Sequence, residues 1–119
     1  MTMSGFVVVK LRWPRSVPLD QISEKFLQGM LDRMAMGFYT YGHVMRDENV
    51  PDALASLDVR LKKYRVTGNT EFLMDCANFC MMEFMRPSVE DAYFEPTTKR
   101  ESPGAVLLDK RRVKGKENY

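Results

Sequence analysis

The sequence predicts a mostly α-helical single domain, a three-helix, bundle-like body with a short N-terminal strand and an irregular basic C-terminal tail. Three observations predict it. Apolar residues recur at intervals of three and four in three successive segments, near 19–39, 51–65 and 70–85. Proline or glycine separates the segments, at Pro18, Gly42, Pro51, Gly68 and Pro87. A length of 119 residues, 45% hydrophobic and 29% charged, suits one globular core. The chain therefore divides into a helical body over 1–98 and a basic, partly disordered tail over 99–119.

Residues 6–13, FVVVKLRW, are β-branched and aromatic and predict the strand. AVLLD at 105–109 is a second candidate, able to pair with the first in one chain or across a dimer. The first helix carries Ile22, Phe26, Met30, Met34 and Phe38 on one stripe. Pro18 suits its first turn, where the missing N–H is not needed, and Gly37 followed by Tyr41-Gly42 ends it. In the second helix Leu54, Leu57, Leu61 and Tyr64 form a narrow stripe. Asn49 is a candidate cap there, and Asp52 faces the positive end of the helix dipole. Gly68 suits the left-handed residue that closes that helix. The third helix is apolar nearly all round, with Phe72, Cys76, Phe79, Met82 and Phe84 on different faces. Such a helix is buried on several sides, and two neighbouring helices are too few to cover it. A homodimer, or another homo-oligomer, follows as an expectation.

Composition removes several function classes. No apolar run approaches the ~20 residues of a membrane span, and the four-residue run Phe6–Val9 is too short for the core of a signal peptide. With Cys76 and Cys80 four apart on a helix and expected to stay reduced, the reading is a cytoplasmic protein. His43 is the only histidine, so neither a Ser/His/Asp nor a Cys/His arrangement is in prospect beyond it, and a tetrahedral zinc site lacks ligands. No glycine-rich phosphate loop is present. The ten methionines suit adaptable core filling or a forgiving partner groove.

The polar residues of the third helix carry the chemistry. Glu71, Asp75 and Asn78 follow i, i+4, i+7 and share one stripe of an otherwise apolar helix. A carboxylate there must be paired, hydrogen-bonded or bound to a cation. One assignment is a Mg²⁺ site on Glu71 and Asp75, because hard oxygen ligands a turn apart suit that ion and the phosphates it holds. The other is that Asp75 pairs with an arginine of a neighbouring helix while Glu71 serves the first-turn dipole.

The stretch TGNTEFLMDCANFCMMEFMRP, preceded by ALASLDVRLKKY and GFYTYG, resembles small phage-encoded proteins of actinobacterial viruses. More distantly, over about residues 25–87, it is similar to the MazG-like all-α nucleotide pyrophosphohydrolases. In that superfamily one helix carries Glu-Glu-x-x-Glu and a later helix a Glu and an Asp. Together they bind Mg²⁺ and cleave nucleoside triphosphates to monophosphate and pyrophosphate. The resemblance places the later motif on Glu71 and Asp75 as metal ligands; Asn78, Glu24 and Arg60 are the candidate nucleotide contacts, Glu24 also a substitute ligand on the first helix. The double-glutamate motif is missing, since Pro51–Tyr64 holds only Asp52 and Asp58. The implied function is a nucleotide-binding helical protein, a degenerate pyrophosphohydrolase. The alternative is a non-catalytic phage protein that binds and modulates a host protein in the infected cell's cytoplasm.

Net charge is +2, unevenly spread: residues 99–119 hold seven basic and three acidic side chains, and the rest of the chain is mildly acidic. Lys110, Arg111, Arg112 and Lys114 are the candidate contacts for nucleic acid or a partner protein.

Overall fold

The computed structural model describes residue 5 and residues 7–43, 50–98, 100, 101 and 103–109. Among these residues it is all-helical: a 3-10 turn at Leu19–Gln21, then α1 (Glu24–Tyr41), α2 (Ala53–Thr67) and α3 (Glu71–Met85). Helix α3 packs against both α2 and α1, with the larger contact to α2, and α1 and α2 share no contact among the described residues. Helix α3 therefore lies between the other two.

Local chemistry sets the helix ends. Ser23 has extended backbone and its side chain accepts from the Phe26 N–H at 3.0 Å, so α1 starts at Glu24. The expected start near 19 is corrected: Pro18 leads only the 3-10 turn, and the chain is extended again at Ile22 and Ser23. Gly37 does not end α1, which continues to Tyr41 and closes on Gly42, whose N–H donates to Phe38 O at 2.8 Å. Asp52 caps α2 by accepting from the Ala55 N–H at 3.0 Å, while Asn49 lies outside the described residues. At Gly68, φ 72° and ψ 8° are the left-handed values at which a Cβ is strained, and they reverse the chain into α3 within two residues. Past Met85 the Glu83 carboxylate accepts from both the N–H and the hydroxyl of Ser88, at 2.7 and 2.9 Å.

Among the described residues the N-terminal strand is not formed. Residues 7–14 have no regular secondary structure and no ladder, and Val7, Val8, Val9 and Leu11 are 78–87% exposed. Trp13 bonds only locally, its indole N–H donating to Val17 O at 2.9 Å. In the candidate strand at 105–109 no ladder forms among the described residues, and Val106, Leu107 and Leu108 are exposed. β-Propensity describes fit to a half-buried pleated surface, and neither segment has one.

The all-round apolar face of α3 is only partly covered. Its buried residues are Asp75, Cys76 and Asn78, and Phe84 and Met85 stay exposed. The only buried apolar residues among those described are Ala53 and Cys76.

The approach of α1 to α3 depends on Gly29, where an added Cβ would meet the Met74 sulfur at 2.6 Å. Gly37, on the same helix, has nothing within 4 Å of that position. Gly29→Val should lower stability by about 1 kcal/mol, the low end of overpacking, because the atoms it meets are the flexible end of Met74, which can turn aside. Gly37→Ala should raise it by about 0.5–1 kcal/mol through helix propensity alone. Urea denaturation of the two variants separates the effects, and equal responses would disprove the close approach.

Candidate functional site

Asp75 sits mid-way along α3, where the other two helices face it, and its side chain is 11% exposed. From α1, Arg33 donates to it through both arms of the guanidinium, Nε to Oδ1 at 3.1 Å and Nη2 to Oδ2 at 3.2 Å. From α2, Arg60 donates Nε to Oδ2 at 3.3 Å. Arg33 Nη1 also lies 3.4 Å from Glu71 Oε1. One carboxylate thus joins all three helices. The Arg33 guanidinium is held still more firmly protonated than usual, first by its hydrogen bond to Asp75, against the opposing effect of burial.

Asn78 lies three residues on. Its side-chain N–H donates to the Met30 carbonyl of α1 at 2.8 Å, and its Oδ1 is buried without a hydrogen-bond partner. Beside it the Arg60 guanidinium lies over the Phe79 ring, 5.6 Å from the centroid. Arg33, Arg60, Asp75 and Asn78, with Thr40 and His43, contribute polar lining to a cleft of about 420 Å³ that Met34, Phe38, Phe79 and Met82 also line.

The structure therefore brings together four of the sequence-predicted residues, Glu71, Asp75, Asn78 and Arg60. Glu24 stands apart, exposed in the first turn of α1 and about 13 Å along the helix axis from Arg33. It forms no part of the cleft lining. Lys110, Arg111, Arg112 and Lys114 lie outside the described residues. Arg33 is absent from the sequence-predicted set, yet it shares a stripe of α1 with Phe26, Met30 and Gly37. A cation on an apolar stripe was the available signal.

No protein-family model matches the chain, and neither does any curated protein or solved structure. The function must be argued from the side chains.

These residues do not fit a magnesium ion. Both oxygens of Asp75 accept from guanidinium groups, and Glu71 faces Arg33. A divalent cation would have to displace two positive side chains from the carboxylate that would hold it. Among the described residues no three His, Cys, Asp or Glu side chains come together for a metal.

Cys76 is buried against α2, its thiol directed at Leu57 O at 3.9 Å, whereas Cys80 is exposed. Burial, first of all, pushes the Cys76 thiol up, with Cys80 and Asp75 adding to it. A raised folded value means stability present below the ordinary thiol range of about 8.5 and lost as pH rises through the folded one. In a thiol-exchange assay at pH 8 one equivalent, Cys80, should react at the rate of a free thiol and Cys76 at least tenfold more slowly. Equal rates would contradict the burial.

Proposed function

We propose that this chain is a non-catalytic binding module that docks onto another protein, expected to be a host protein, through its extended apolar segments. The observation that carries the reading is the state of those segments. Val7, Val8, Val9 and Leu11, and at the other end Val106, Leu107 and Leu108, are 74–99% exposed and unpaired. Runs that are apolar on both faces are stable when covered on both faces, and strand addition to a partner's sheet edge supplies that cover together with the missing hydrogen bonds. The arginine-bound state of Asp75 supports the same reading, because it leaves no free carboxylate pair for metal-dependent hydrolysis.

Capture from host lysate, with the variant Val8→Asp/Leu107→Asp beside the parent chain, tests it. One stoichiometric partner should be retained by the parent and lost by the variant, with the melting temperature of the free chain unchanged. No stoichiometric partner, or equal retention by both, defeats the proposal. The reading also expects nucleoside triphosphates with Mg²⁺ to leave the thermal melt where it is. A metal-dependent rise on the order of 10 °C, what a ligand at a hundred times its Kd produces in a small domain, would return the function to Glu71 and Asp75.

A further inference from the structure

The cleft between α1 and α3 has a volume, about 420 Å³, within the range of small-molecule sites. Its walls are mostly apolar, with Met34, Met82 and Met85 beside the rings of Phe38 and Phe79. Thioether sulfurs and ring edges favour a flat aromatic occupant. The charges at its polar end cancel. Arg33 and Arg60 are matched by Asp75, which accepts hydrogen bonds from both, and by Glu71, 3.4 Å from Arg33. An uncharged molecule therefore suits the cleft better than an ion.

Two further observations bear on how that molecule is held. The first is Asn78, 5% exposed, which lines the cleft and has a buried Oδ1 without a hydrogen-bond partner. Its amide nitrogen is fixed on the Met30 carbonyl at 2.8 Å, and only the nitrogen can donate there. The oxygen is left for a donor from outside the helices, because an unmet acceptor in so buried a position is costly. The second is Gly37, another lining residue, inside α1. Glycine weakens a helix interior, and neither a positive φ nor close packing calls for one here, since an added Cβ would meet nothing within 4 Å. What the missing side chain provides is space in the cleft.

We propose that the cleft binds a small, uncharged aromatic molecule carrying an N–H or O–H donor. The ring lies among the methionines and phenylalanines, and the donor goes to Asn78 Oδ1. This inference goes beyond the protein-docking proposal and uses neither of its segments.

Indole and indene, nearly identical in shape but with an N–H only in indole, test it. Each is titrated into the full chain and followed in amide correlation spectra. Indole should shift the Gly37 amide and the Asn78 side-chain amide and saturate with a Kd of about 1 mM or below, as suits so small a ligand. Indene should bind about tenfold more weakly, the worth of one hydrogen bond to a buried acceptor. Asn78→Ala should remove that preference and leave the two equal. Gly37→Leu, whose Cβ has open space, should fill part of the cleft and weaken both at least tenfold with helix content unchanged. Equal binding of the two to the parent chain overturns the proposal. Indole binding that survives Gly37→Leu overturns it too, because the site would then lie elsewhere, and so does the absence of any response at the solubility limit of indole. If Asn78→Ala fails to fold, the indole–indene comparison and Gly37→Leu decide.

Discussion

Replacing Asp75 by alanine is expected to lower the free energy of unfolding by about 3 kcal/mol, the low end of what removing one member of a buried ion pair costs. The low end applies because Arg33 and Arg60 are about one-third exposed, and water compensates part of the loss. What remains is the loss of three hydrogen bonds and two guanidinium groups facing one vacated position. In a fold whose buried apolar residues are Ala53 and Cys76 among those described, that is a large share of the total. Urea denaturation of Asp75→Ala at pH 7 measures it. The triple variant Arg33→Met/Arg60→Met/Asp75→Leu should recover most of the loss, because removing every charge leaves none unpaired. A cost below about 0.5 kcal/mol for Asp75→Ala, typical of exposed surface positions, would mean that the cluster holds nothing together and that the carboxylate is available to a ligand.

The sequence and the structure agree most closely along α2 and α3. Stop signals there are local: Gly68 reverses the chain and Pro87 follows directly on the closing residue Arg86, whereas the cap that starts α2 is Asp52, expected only to face the dipole, and not Asn49. The start of α1 was less legible because two signals competed. Pro18 satisfies a first turn, but the Ser23 hydroxyl accepts the Phe26 N–H and sets the start five residues later. The N-terminal strand was misread for a different reason. Its residues have the propensity, but a strand exists only in a ladder, and the partner of a ladder is not written in the strand itself. The candidate site divides in the same way. Spacing along α3 put Glu71, Asp75 and Asn78 on one stripe, and the alternative of an arginine partner was visible from the cost of burying a charge. Arg33 was marked by its place on an apolar stripe, but its pairing with Asp75, 42 residues away, was not, because periodicity says which face a residue occupies and not which helix that face meets.

Asn78→Asp is expected to cost about 3 kcal/mol at pH 7 and much less near pH 4. The substitution changes one atom of the side chain, yet it exchanges the group that donates to Met30 O for an oxygen that cannot. It also places a second carboxylate one turn from Asp75, in a position 5% exposed and with the neighbouring guanidinium groups already committed. Burial and the like charge both favour the protonated acid, so the new group's folded pKa lies above the ordinary aspartate value of about 3.9. A raised folded value means that stability is present below the unfolded pKa and is lost as pH rises through the folded one. The gap to the parent chain must therefore widen from pH 4 to pH 7, where the protonated form, able to donate to Met30 O, disappears. Asn78→Ala, which loses the hydrogen bond without adding a charge, should cost about 1–1.5 kcal/mol and show no such pH dependence. Denaturation of both variants at the two pH values gives the comparison. A stable Asn78→Asp protein at pH 7 would show that Arg33 or Arg60 can turn from Asp75 to a new carboxylate. The same cluster would then be free to release a guanidinium to an incoming anion.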